Sequence, residues 1–204
     1  MIELLNIDCM EYMATCKDKQ FDLAIVDPQF GIGNFIQVSG NIRGNKVNWN
    51  ERPPSKRYFI ELYRVSKNRI IFGANYFNCF DKNGGAIIWL KNQPMPNFSK
   101  AVIASCSFHK KIEIYKQTWT NFVQKDRTGI HPCEMPLDLY KWLLKNYAKP
   151  DMKIIDTHLG SGSSAIAAYD FGCDFVGCEI DKDYYDAAVK RFETHKMQQT
   201  ITWR

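Results

Sequence analysis

Between residues 153 and 194 the chain changes character at short, regular intervals. Residues 153–156 form an apolar strand, 160–162 a glycine turn, 163–171 a helix closed by Gly172, 175–180 a second strand and 181–194 a second helix. A crossover helix between two short apolar strands makes those strands parallel members of one sheet. This pattern restricts the chain to an α/β architecture with helices packed on a mostly parallel sheet.

The rest of the sequence fits that frame. The run FDLAIV at 21–26 is stopped by Asp27-Pro28, and because proline cannot donate to a continuing ladder, a buried strand ends at Asp27. Pro53-Pro54-Ser55 opens a helix whose apolar positions Phe59, Leu62 and Tyr63 follow helical spacing. Residues 69–72 and 86–90 are strand-like beside glycine punctuation, 108–115 ends in strand-type alternation, and Pro136 starts a helix with Tyr140, Leu143, Leu144 and Tyr147 on one face. No repeat or composition break divides the 204 residues, so a single domain over 1–204 is expected, with contact insertions near 31–54 and 116–130.

Composition narrows the class of partner. No apolar run approaches the roughly 18 residues that a membrane span needs, and residues 1–10 lack a basic start followed by an apolar stretch, so a cytoplasmic protein is expected. Seven scattered cysteines without a C-x-x-C pair argue against a disulfide framework and against a zinc site. Most are expected in the core, and no metal is expected. Residues 40–70 carry eight Lys or Arg against two acids, while residues 151–190 carry eight acids against three bases. A basic middle beside an acidic end suits a chain whose middle meets a polyanion, although an unevenly charged solvated surface would look the same.

Three constellations carry chemistry. The segment from Asp156 to Ser164 runs from strand through Gly160 and Gly162 into a helix, so the backbone can approach a bound molecule and the helix start can offer N–H groups. Glu179 ends the following strand, where an acid in a nucleotide-type fold accepts ribose hydroxyls. The turn lacks the third glycine of a nicotinamide dinucleotide fingerprint, and no Gly-Lys-Ser/Thr follows to make a P-loop. Asp27-Pro28-Gln29-Phe30 places an acid, a rigid proline and an aromatic face at a strand's carboxyl end, suited to holding an exocyclic amine. A plain strand-ending turn is the alternative.

Asp27-Pro28-Gln29-Phe30 with Gly31-Ile32-Gly33 resembles the D-P-P-Y motif of amino-group DNA methyltransferases. The segment from Asp156 to Ser163 resembles their D-P-F-x-G-S-G-T cofactor motif, and His131-Pro132-Cys133-Glu134-Met135-Pro136 is similar to their H-P-x-x-K-P segment. Catalytic motif first and cofactor motif last is the circularly permuted order of the β class. The resemblance implies a three-layer Rossmann-like methyltransferase fold, S-adenosyl-L-methionine as cofactor, and DNA with a flipped adenine as partner. It implies catalytic roles for Asp27, Pro28, Gln29 and Phe30, with Phe30 stacking on the base. It implies cofactor roles for Asp8, Cys9, Asp27, His131, Pro136, Asp156, His158, Gly160, Ser161, Gly162, Ser163, Glu179 and Ile180. A bacterial or phage source, a place in restriction-modification and a homodimer are further implications.

An acid at Asp27 is typical of adenine N6 enzymes, whereas cytosine N4 enzymes usually have Ser there. Cytosine N4, an RNA base, and a catalytically impaired nucleic-acid-binding homologue are the alternatives. Gln29 stands where a second proline is usual, Thr157 and His158 where Pro and Phe are usual, and Met135 where Lys is usual, removing a positive charge from the cofactor's carboxylate. Nucleic-acid contacts are expected from Arg43, Lys46, Arg52, Lys56, Arg57, Lys125 and Arg127, with Trp119 and Phe122 able either to stack on bases or to pack in the core.

Overall fold

A computed structural model describes residues 1–32, 52–91, 99–117, 130–131 and 133–201. In chain order the strands are β1 (Ile2–Asn6), β2 (Phe21–Val26), β3 (Ser66–Phe72), β4 (Gly85–Leu90), β5 (Ala101–Cys106), β6 (Ile112–Lys116), β7 (Lys153–Asp156) and β8 (Asp174–Glu179). The helices are α1 (Cys9–Thr15), α2 (Lys56–Val65), α3 (Ala74–Phe77), α4 (Leu137–Tyr147), α5 (Ser163–Phe171) and α6 (Lys182–Ile201). All eight strands join one sheet in the order β1-β8-β7-β2-β3-β5-β4-β6.

From β1 to β3 every neighbouring pair is parallel. Strand β5 then runs antiparallel to both β3 and β4, and β4 pairs parallel with β6. The decisive neighbours are β2 and β7, joined at Leu23↔Ile154 and Ala24↔Ile155. Because these strands are parallel, Asp27 beyond β2 and Asp156 at the end of β7 lie at the same edge of the sheet.

Each central strand is apolar on both faces because both faces are covered. Leu23 and Ile25 of β2 pack with Leu139, Leu143, Ala165 and Ile166 from α4 and α5. Ala24 and Val26 pack oppositely with Met13, Tyr58 and Leu62 from α1 and α2. The result is three layers, as the family resemblance implied. Five of the seven cysteines are buried, Cys9 is half-buried and Cys133 exposed.

Two expectations shift. Helix α2 buries Tyr58, Leu62 and Val65 most deeply, with Phe59 and Tyr63 only partly buried against the same cluster, because the side of the helix that meets β2 is centred on Leu62. The alternation expected over 108–115 becomes a strand only from Ile112, where pairing with β4 begins. No helix among the described residues is long and apolar enough to cross a membrane.

Candidate active site

The carboxyl edge of β1, β8, β7 and β2 opens into a cleft of about 590 Å³, within the range of small-ligand sites. One wall comes from Ile7, Asp8, Cys9, Glu179 and Ile180, another from 157–161 and Ser163, and a third from Asp27, Gln29 and 52–55. His131, Glu134, Met135 and Tyr184 complete it. Early and late motifs therefore share one cavity.

The glycine turn is held from both sides. Glu179 Oε2 accepts the Gly160 N–H at 2.8 Å and Oε1 the Asp181 N–H at 3.0 Å, while the Leu159 N–H donates to the Cys178 carbonyl at 2.9 Å. Gly162 turns with φ +80° to start α5, and a Cβ there would press on Ala188 of α6 at 3.2 Å. Arg191 of α6 donates to the Ser161 carbonyl at 3.0 Å and the Ser163 hydroxyl at 2.9 Å, and pairs with buried Glu134 at 3.0 Å. One guanidinium thus ties the turn to the segment at 131–136. Asp156 lies beneath the turn, its Oδ1 accepting the His158 N–H at 3.0 Å.

Burial sets the electrostatics. Asp27 is pushed up to about 7, first by burial and then by the negative charge of Asp156, with Lys91 opposing. Asp27 Oδ1 is buried and finds no hydrogen-bond partner among the described residues. Asp156 is raised to about 6 by burial, against the Ser164 hydroxyl and the His158 N–H, which favour its charge. Burial also raises Glu179, against its backbone donors. Burial lowers His158 to about 4, with Asp8 pulling the other way, so its imidazole is neutral at physiological pH.

Of the positions expected from sequence, Asp8, Cys9, Asp27, Gln29, His131, His158, Gly160, Ser161, Ser163, Glu179 and Ile180 line the cleft. Asp8 also caps α1, accepting the Met10 N–H at 2.7 Å. Ile180 is 69% exposed and offers an apolar rim. Pro28 lies between the lining residues Asp27 and Gln29, Pro136 caps α4, and Asp156 and Gly162 hold the glycine turn. Phe30 departs most: its ring stacks on Tyr76 at 4.8 Å and 17°, meets Phe77 edge-on at 6.0 Å, and does not line the cleft. The reason is Gly73, whose left-handed φ of +76° brings the backbone so close that a Cβ would collide with the Phe30 ring.

Of the positions expected to contact nucleic acid, Arg52 is exposed and lines the cleft, and Lys56 and Arg57 are exposed on the first turn of α2. Arg43, Lys46, Trp119, Phe122, Lys125, Arg127 and Pro132 lie outside the described residues. Sequence reasoning missed Tyr58 and Tyr184, which line the cleft, and Arg191, which braces its turn, and it gave Glu134 no role of its own inside the 131–136 segment. The spacing of Tyr58, Tyr184 and Arg191 carries no motif, and only the tertiary fold brings them to the site. Among the described residues no cluster of His, Cys, Asp and Glu could hold a metal ion.

An open α/β sheet with a glycine turn, a strand-end acid and a carboxyl whose buried Oδ1 has no partner among the described residues, all around one cleft, has the features of a nucleotide-type ligand site. Residues 21–190 match the N6_N4_Mtase family, described as DNA methylase, and the chain belongs to that family. The type II methyltransferase M2.DpnII of Streptococcus pneumoniae is 23% identical over 238 residues, covering 93% of this chain and 89% of its own. TTHA0409 of Thermus thermophilus, solved in complex with S-adenosyl-L-methionine, matches with a TM-score of 0.59 at 17% identity, over 96% of each chain. The cytosine-N4-specific PvuII DNA methyltransferase matches with a TM-score of 0.62 at 12% identity, over 94% of this chain and 86% of its own. At such identities the structural likeness speaks for the fold.

Proposed function

We propose that this protein is an S-adenosyl-L-methionine-dependent DNA methyltransferase acting on the N6 amine of adenine. The observation that carries the reading is the cleft itself, in which Asp27 of the catalytic motif and the glycine turn of the cofactor motif face one space. The cofactor suits these residues: Glu179 accepts its ribose hydroxyls, the turn at 160–163 and His131 enclose it, and Ile180 and Cys9 flank its adenine. When bound, it supplies an electrophilic methyl group on a positively charged sulfur.

What remains for the protein is to make a poor nucleophile reactive. The lone pair of an exocyclic amine is delocalised into its ring. Asp27 Oδ1, buried and without a partner among the described residues, accepts one amine hydrogen, and the Pro28 carbonyl accepts the other. Those bonds hold the nitrogen toward tetrahedral geometry and fix its approach. Transfer releases one amine proton, and a carboxylate raised to about 7 is matched to take it. Stacking on Phe30 requires its pair with Tyr76 to open or to extend by a third ring. The acid at position 27 favours adenine over cytosine N4.

Nucleoside mass spectrometry of DNA incubated with the protein and methyl-labelled cofactor tests the reading. Labelled N6-methyladenine is expected. N4-methylcytosine as the sole product would transfer the assignment to cytosine, and label in RNA alone would remove DNA as substrate.

A further inference from the structure

Thr157 and His158 stand where the family motif has Pro and Phe, and the fold joins both to a residue of another element. The phenol oxygen of Tyr58 on α2 lies 2.7 Å from Thr157 Oγ1, which lies 2.9 Å from His158 Nδ1. The Tyr58 and His158 rings meet edge to face at 5.5 Å and 72°. All three residues line the cleft, and Tyr58 is buried.

Two hydroxyls and a neutral imidazole bring three hydrogens to these two bonds, and the order of donation is constrained. With the imidazole hydrogen on Nδ1, His158 donates to Thr157, and only one of the two hydroxyl hydrogens can then enter the bond between Tyr58 and Thr157. The other has no acceptor among the described residues, and an unmet buried donor costs about 1–3 kcal/mol. In the opposite order Tyr58 donates to Thr157, Thr157 donates to Nδ1, and every buried donor is met. The imidazole hydrogen then sits on Nε2, which bonds to no described residue. Thr157 is the pivot, because a hydroxyl can accept from one side and donate to the other. A proline at that position could do neither.

We propose that Tyr58, Thr157 and His158 form a tautomer-fixing chain that presents an Nε2–H donor to the cleft, and that this donor binds the carboxylate of S-adenosyl-L-methionine. The proposal rests on the cofactor reading above and adds an anchor that the family motif does not supply. The lining is acid-rich, with Asp8, Asp27, Glu179 and Asp181, and Glu134 already paired with Arg191, against Arg52 as the permanent cation among the described lining residues. The cofactor's ammonium and hydroxyl groups can donate to such walls, whereas its carboxylate needs N–H donors. Position 135, where the family carries Lys, holds a buried Met. Arg52 is exposed at the rim. A neutral imidazole places a donor inside the acid-rich wall without the burial cost of a second cation.

Calorimetry of wild type, H158F and H158Q with S-adenosyl-L-methionine and with decarboxylated S-adenosylmethionine tests this. Wild type should bind the intact cofactor more tightly than the analogue. H158F should weaken the intact cofactor roughly tenfold or more, the size of a hydrogen bond to a charged group, and leave the analogue within about twofold. H158Q, with an N–H near the same place, should recover part of the loss. Equal weakening of both ligands by H158F, or of neither, would overturn the carboxylate assignment. Wild type binding neither ligand would overturn the cofactor reading itself, a result distinct from lost selectivity. In wild type, 15N NMR should place the His158 hydrogen on Nε2, and a hydrogen on Nδ1 would refute the donation order.

Discussion

Asp27 shows most clearly how one side chain is placed under opposing demands. Burial and the charge of Asp156 favour its neutral form in the folded protein, raising it to about 7, while the role proposed for it, accepting amine hydrogens, needs the carboxylate. Turnover is therefore expected to rise with pH through about 7, read from kcat at saturating substrates. The stability consequence has the opposite sign. A carboxyl raised above its unfolded value of 3.8 contributes stability below that value and loses it as pH climbs through 7. Asp27→Asn should thus unfold at higher urea than wild type at about pH 8, by about 1–3 kcal/mol, and the gap should shrink toward about pH 4. A gap independent of pH would refute the assignment. Asp27, Glu179 and Gly160 were legible in the sequence because they belong to motifs with fixed local spacing. Tyr58 was not, because it reads as one more aromatic in an apolar helix until the sheet sets it beside Thr157.

At the scale of elements, the turn at 160–162 is braced by a helix that follows it in the chain. Arg191 pairs at 3.0 Å with buried Glu134, and truncating Arg191 leaves that carboxylate charged in the interior. Arg191→Met should cost about 3–5 kcal/mol in chemical denaturation. Arg191→Met combined with Glu134→Gln should recover much of that loss, and no recovery would mean that the guanidinium acts only through Ser161 and Ser163. Gly73→Ala should drive the Phe30 ring from its place and lower kcat about tenfold or more while cofactor affinity, measured by calorimetry, stays near wild type. Element boundaries were legible where punctuation is strong. Helix α5 runs over Ser163–Phe171 with Gly172 behind it, as the spacing predicts. Strand β5 was missed because Ala101–Cys106 has small residues and no glycine or proline at its ends. Its identity comes from pairing with β3 and β4.

Over the whole molecule, the order of motifs along the chain is reconciled by the sheet. Strands β2 and β7 lie far apart in sequence yet are neighbours, so the proposed catalytic motif near the start and the proposed cofactor motif near the end meet in one cleft. Of the parallel half, β7 and β8 were legible through their crossover helix and β2 and β3 as apolar runs, whereas β1 and the reversal at β5 have no sequence period to announce them. The basic charge of the middle segment reaches the described surface at Lys56 and Arg57. Replacing both by Ala should weaken DNA uniformly across sequences and reduce the slope of log affinity against log salt by about 2, measured by fluorescence anisotropy. The most direct measurement of the shared cleft pairs calorimetry with single-turnover methyl transfer on Asp27→Ala. Cofactor binding should stay near wild type while transfer is abolished. Loss of cofactor binding, or transfer that continues at the wild-type rate, would contradict the division of the cleft between Asp27 and the glycine turn.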